Sequence, residues 1–228
     1  MGKFVCFSVV FLFLFSCKKE QSSVVLSTND LTTAYFGDIS GNYSVFDVTH
    51  IVHDEEVDVH DTSQFVYKIY IGDTISENDG TKAKKYIRYN WNVLTAQWDV
   101  LDVWKIKRDK QFGVLTEENQ SIVKLYFPIQ ADFSWNANRF NNQDSIYYHY
   151  RNVHKSISLN GLLFDSTVIV EQENYFTLVD LKRKKETYAK GIGLISKYYK
   201  DLRIKNFDSM KVQKGEEWYF TIKSFGKE

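Results

Sequence analysis

Apolar and polar residues alternate along much of the chain. In KAKKYIRYNW (82–91), Lys85, Ile87, Tyr89 and Trp91 fall on one face of an extended strand and Lys84, Tyr86, Arg88 and Asn90 on the other. That period of two is the side-chain period of a β-strand. SIVKLYFPI (121–129), SIYYHYRNV (145–153), DSTVIVEQE (165–173) and EWYFTIKSF (217–225) are further short runs of this kind. Turn-forming breaks separate the runs, among them ENDGTK (77–82) and EENQ (117–120). The pattern predicts about ten strands and no long amphipathic helix. YFTLVDLKRKK (175–185) is the one stretch suited to a helical turn or two. Pro128, the single proline, is expected at a strand end, since it has no N–H to give to a ladder.

Many short strands at regular spacing predict an all-β, mainly antiparallel domain. A strongly curved sheet or open barrel is the preferred form, with a β-sandwich as the alternative. Composition agrees, because 17 Phe, 15 Tyr and 5 Trp are residue types suited to a pleated, half-buried surface. No Gly/Pro/Ser-rich hinge interrupts residues 35–228, which are read as one domain with room for a sizeable core. Charge is balanced, 29 basic against 29 acidic residues, so no global field recruits nucleic acid.

The first residues depart from this pattern. Lys3 is followed by an almost wholly apolar run from Phe4 to Phe15, then Ser16, Cys17 and the charged Lys18-Lys19-Glu20. One positive charge and about a dozen apolar residues have the layout of a signal peptide over 1–16, and fall short of the roughly twenty residues a membrane-spanning helix needs. Leu14-Phe15-Ser16-Cys17 resembles the bacterial lipobox. The resemblance implies a diacylglycerol on the Cys17 sulfur, cleavage before Cys17 and acylation of the new amine. Several acyl chains on one residue hold a protein to a membrane essentially for good, where one chain holds it marginally. Polar residues 18–34 read as a flexible tether with an average span of roughly 20–25 Å. Cys6 lies inside the predicted signal, so the processed chain is expected to have no disulfide, thiolate metal site or cysteine nucleophile.

YFGDISGNYSVFDVT (35–49), DTSQFVYKI (61–69), DVWKIKR (102–108), VKLYFPI (123–129), FDSTVIV (164–170) and YAKGIGLISKYY (188–199) together resemble a family of uncharacterised envelope lipoproteins of Bacteroidota. The family's first segment looks more like Tyr-x-Pro-Leu-x-x-Gly-Asn-Tyr-Trp. Here Gly37 stands for the proline and Ser44 for the tryptophan. The resemblance implies no activity. It implies an address, a lipid anchor at Cys17 in the outer membrane, on either its periplasmic side or the cell surface.

Candidate chemistry is sparse. HIVHDEEVDVHD (50–61) gathers His50, His53 and His60 among five carboxylates, but it lacks the zincin helix and the EF-hand loop; a solvated acidic hairpin is expected and no metal site. FSWNANRFNNQD (133–144) offers Trp135 and Phe140 as stacking faces and Asn136, Asn138 and Arg139 as hydrogen-bonding groups, with Asn141 beside them, a composition suited to glycans. LKRKKE (181–186) is expected as a solvated basic turn, with anionic lipid headgroups as the alternative contact, and Gly191 and Gly193 as a bend or bulge. Glu171 and Glu173 would share a strand face, yet no Gly-x-Ser-x-Gly elbow is present. The expectation is a non-catalytic, lipid-anchored binding or accessory component of the envelope, with no cofactor. A carrier with a lipid or other apolar ligand in its cavity is the second reading, and a glycan-binding or glycoside-hydrolysing protein the third.

Overall fold

The computed structural model describes residues 32–228. The predicted signal peptide, Cys17 and the predicted tether up to residue 31 lie outside the described residues. A 3-10 turn, Ala34–Phe36, precedes twelve strands: β1 (Asn42–Asp54), β2 (Val59–Ser76), β3 (Lys82–Asn92), β4 (Gln97–Arg108), β5 (Phe112–Glu117), β6 (Gln120–Tyr126), β7 (Ser134–Asn136), β8 (Tyr147–Leu159), β9 (Leu162–Phe176), β10 (Asp180–Ala189), β11 (Gly193–Lys205) and β12 (Asp208–Lys227). A second 3-10 turn, Glu55–Val57, links β1 to β2.

All twelve strands belong to one sheet in the order β6-β5-β4-β3-β2-β1-β12-β11-β10-β9-β8-β7. Strands adjacent in sequence pair antiparallel except β6 and β7, and β1 also pairs with β12. The result is an up-and-down meander curled into a nearly closed, barrel-like sheet with one seam, between β6 and β7. Groups from β6 and from the β7–β8 region bridge that seam. Val123 N–H donates to Ala137 O at 2.9 Å, and the Trp135 indole donates to Val123 O at 2.9 Å. The Tyr150 hydroxyl accepts from Tyr126 N at 2.8 Å and donates to Tyr126 O at 2.7 Å. Unpaired β6 edge groups thereby gain partners, as a sheet edge requires.

The all-β, antiparallel, barrel-like reading matches the structure. The strands number twelve rather than about ten, and they form a single curved sheet rather than a sandwich. β1, β2 and β12 have 13, 18 and 20 residues, and register shifts such as the one between Val45 and Phe46 curve them without ending them. Segment 175–185 is not helical. Tyr175 and Phe176 end β9, Thr177–Val179 turn, and β10 begins at Asp180. Pro128 lies just beyond β6, in a cis peptide with Phe127.

The main core fills the interior of the sheet. Phe46, Val48, Ile195, Phe220 and Ile222 from the central strands meet Val168, Val170 and Tyr188 from one side and Tyr86, Ile106 and Leu115 from the other. The first residues of the predicted domain belong to this core: Tyr35 is fully buried and Phe36 nearly so. The Tyr35 hydroxyl hydrogen-bonds to Ser166 Oγ at 2.6 Å and to His154 Nδ1 at 2.5 Å. The Ala34–Phe36 turn thus acts as a plug packed on β10 and β11.

Candidate functional site

Strand register decides which polar side chains enter the barrel. On β12, Ile222 and Phe220 face the core, so Trp218 and Glu216 continue the same face. Their cross-strand partners on β1 are Phe46, Val48, His50 and Val52, and on β11 Phe220, Trp218 and Glu216 oppose Lys197, Tyr199 and Asp201. Lys197 in turn pairs with Glu186 on β10. On the other flank Phe46 opposes Tyr67, and Tyr86 and Arg88 on β3 oppose Trp104 and Asp102 on β4. One half of the interior is therefore apolar. The other half is lined by rings and charges.

Between the halves sits a buried ion pair. Lys124 Nζ lies 3.1 Å from Glu186 Oε1 and 3.7 Å from Glu117, and the Tyr188 hydroxyl donates to Glu186 Oε2 at 2.6 Å. Lys124 and Glu186 are 8% and 3% exposed, so desolvation opposes both charges. Burial works to raise the Glu186 carboxyl, but Lys124, Lys197 and the Tyr188 hydroxyl outweigh it and hold the group below the usual carboxylate range. Burial likewise works to lower Lys124, and Glu186 and Glu117 reverse it. Lys197 has the opposite balance: burial and the nearby Lys124 cation push it below the ordinary lysine value, against weaker pulls from Glu186 and Glu117.

Depressed carboxylates give a pH signature. Glu186, Asp201 and Glu217 all lie below their ordinary values of 4.5, 3.8 and 4.5. Their contribution to stability is complete above those ordinary values and is lost as pH falls through the lower folded values. Denaturant unfolding is expected to give level stability from about pH 5 to 8 and a decline below about 4.5. Glu186→Gln should show a smaller acid decline than wild type; an identical decline would remove Glu186 from the account.

Above the ion pair the lumen opens to solvent. A cavity of about 260 Å³ is lined by Tyr67, Arg88, Lys197, Tyr199, Glu216, Trp218 and Phe220. Arg88 is held by Asp102 through Nε at 3.0 Å and Nη2 at 2.5 Å, and its guanidinium lies 4.2 Å from the Trp104 ring centre. Trp218 stacks on His50 with centroids 3.6 Å apart, and Glu216 accepts from both the indole and the imidazole at 3.0 Å. Lys184, paired with Glu173 and Asp201, lies 4.7 Å from the Tyr199 ring centre. Anchored rings and fixed charges of this kind present flat apolar surface and directional polar groups together. On the other side of the ion pair, a cavity of about 60 Å³ is lined mainly by Phe36, Ile69, Ile106 and Leu115, with Lys124 and Glu186 at its polar wall.

The sequence-predicted site residues come together elsewhere, at the seam. Trp135 is 5% exposed, with its ring 4.5 Å from that of Tyr150, so it presents no open stacking face. Asn136 accepts from Asn138 N–H and donates to Ser145, while the Asn138 amide donates to Asp144 O. Arg139 lies over the Phe112 ring at 5.4 Å, and Phe140, half-exposed, packs edge-on against the same ring. Asn141 donates to Ser121 O on β6. These residues serve to tie the barrel shut.

HIVHDEEVDVHD runs through the end of β1, the 3-10 turn and the start of β2 rather than forming a loop throughout. His53 and His60 face each other with Nδ1 atoms 3.1 Å apart, and His53 Nε2 lies 3.0 Å from Glu217. No group of three or more metal-ligating side chains converges among the described residues. LKRKKE is strand, not a solvated turn: Leu181 and Glu186 are buried and Lys184 is ion-paired. Glu171 and Glu173 do not simply alternate, because a bulge between them pairs them with Lys185 and Lys184, and each is held by a cation, Arg151 and Lys184 respectively. Gly191 turns between β10 and β11, as the sequence predicts, and Gly193 begins β11 against Gly37.

No protein-family model and no curated protein matches the chain. A solved structure from Parabacteroides distasonis, provisionally described as a lipoprotein, is similar to it. The two share 10% identity over 84% of this chain and 98% of that one, with a TM-score of 0.42. That likeness is too distant to carry a statement about fold or function.

Proposed function

We propose that the protein is a lipoprotein anchored through Cys17 in the outer membrane, and that it binds a small ligand in the open half of its barrel without transforming it. The observation that carries this reading is the 260 Å³ solvent-open cavity lined by Tyr67, Arg88, Lys197, Tyr199, Trp218 and Phe220. Its size is close to the lower end of small-molecule sites, roughly 300–1,000 Å³. Glu186, Asp102 and Glu216 each already hold a partner, which leaves them poorly suited to act as an acid and base pair. A lipid carrier needs a long apolar cavity. The inner space of about 60 Å³ holds only about four to six waters at 10–15 Å³ each.

One preparation tests both halves of the proposal. The full chain is expressed in a Bacteroidota host, fractionated, and weighed intact under native conditions. Wild type should be acylated and membrane-bound, and Cys17→Ala soluble or unprocessed. Thermal melting against a small-molecule library should give ligands that stabilise wild type but not Trp218→Leu. Equal fractionation of the two Cys17 forms, without lipid, contradicts the anchor; the absence of any Trp218-dependent ligand contradicts the binding role.

A further inference from the structure

The cations of the lumen are not equally satisfied. Arg88 is held by Asp102, Lys124 by Glu186 and Glu117, and Lys184 by Glu173 and Asp201. Lys197 lines the same lumen, partly exposed, and among the described residues no carboxylate comes within 4.0 Å of its ammonium. Its direct cross-strand partner is Glu186, yet both Glu186 oxygens are taken, one by Lys124 and the other by the Tyr188 hydroxyl. The nearest ring is Phe220, 5.6 Å away. An ammonium partly withdrawn from water, with no carboxylate in direct contact, is costly to hold. This one faces a cavity that water and small molecules can enter.

The rest of that cavity limits what the counter-charge can be. Trp218, Tyr199 and Phe220 offer ring surface beside Lys197, and Arg88, the other cation of the lining, is already paired with Asp102. Glu216 lines the cavity too, its carboxylate already accepting from His50 and Trp218. Negative charge is favoured at the Lys197 end alone. From this arrangement we infer that the lumen binds a small organic monoanion, its carboxylate against Lys197 and its flat face on the Trp218–Tyr199 wall. The inference rests on the proposed binding role and names the ligand class for that same site. Two kinds of molecule present this chemistry, an aromatic carboxylate and a sugar acid.

The test is a calorimetric titration of the detergent-solubilised full chain with four probes: benzoate, benzamide, glucuronate and glucose. At least one carboxylate should bind roughly tenfold or more tightly than its neutral partner, the size expected for a charge-assisted hydrogen bond away from water. Lys197→Met should erase that preference and Lys197→Arg should keep part of it. Lys197→Met leaves the Lys124–Glu186 contact and the Tyr188 hydrogen bond in place, so its melting temperature should stay close to that of wild type, and lost binding cannot then be laid to misfolding. Which pair shows the preference identifies the source, aromatic or sugar. Equal binding of an acid and its neutral partner, unaffected at Lys197, overturns the anion inference and leaves the lumen as a binding site. No binding of any probe overturns the inference, and the proposed binding role then stands or falls on Trp218-dependent ligands of other classes.

Discussion

Glu186→Ala is expected to destabilise the protein by about 3–5 kcal/mol, the usual cost of breaking a buried ion pair from one side. Lys124 would keep its charge with Glu117 as its nearest carboxylate, 3.7 Å away, and with Lys197 as a neighbouring cation. The Tyr188 hydroxyl would lose its acceptor as well. Removing both charges and the orphaned hydroxyl together, as Lys124→Met with Glu186→Leu and Tyr188→Phe, should restore stability to within about 1 kcal/mol of wild type, because the desolvation penalty disappears with the pair. Urea unfolding of the two variants measures the difference. A loss below about 1 kcal/mol in Glu186→Ala, in the range of exposed pairs, would mean that water reaches the pair and that the lumen is not divided there.

The second large effect is expected at Gly37. Its φ of +67° is left-handed, and an added Cβ would lie 2.4 Å from Ile192 O and 2.6 Å from Gly193 Cα. Both atoms are backbone, so neither yields as a flexible side chain does. Gly37→Ala should cost roughly 2–5 kcal/mol, from about 1–2 for the left-handed conformation and about 1–3 for overpacking. It should also lift the Ala34–Phe36 plug, breaking the Tyr35 hydrogen bonds to His154 and Ser166. Gly191→Ala is the control: φ is +80° but nothing lies within 4 Å of the new Cβ, so only the conformational cost remains. Equal losses in the two variants would show that the close approach of Gly37 to β11 does not matter.

Much of the architecture was legible in alternation alone. KAKKYIRYNW placed Tyr86, Arg88 and Asn90 on one face, and those residues do share the lumen-side register of β3. What alternation missed depends on partners far along the chain. The basic run at 182–185 resembles a solvated turn until Glu173 and Asp201, on two other strands, supply its counter-charges. Trp135 reads as a ligand platform by composition, yet its role at the seam depends on Val123 from the far edge of the sheet. The Lys124–Glu186 pair spans 62 residues. A lysine inside the apolar run SIVKLYFPI was the one local sign that the barrel holds charge in its interior. Lys197 and Trp218 gave no such sign, because their meeting is fixed by the β11–β12 register.

The most direct test of lumen binding is chemical-shift mapping on isotopically labelled protein with a ligand that stabilises wild type. Shifts of the Trp218 indole N–H, the Arg88 Nε–H and the Tyr67 and Tyr199 ring signals, with the 133–144 segment unchanged, are the predicted result. Shifts confined to Trp135–Phe140 or to the outer strand faces would contradict a ligand site in the barrel.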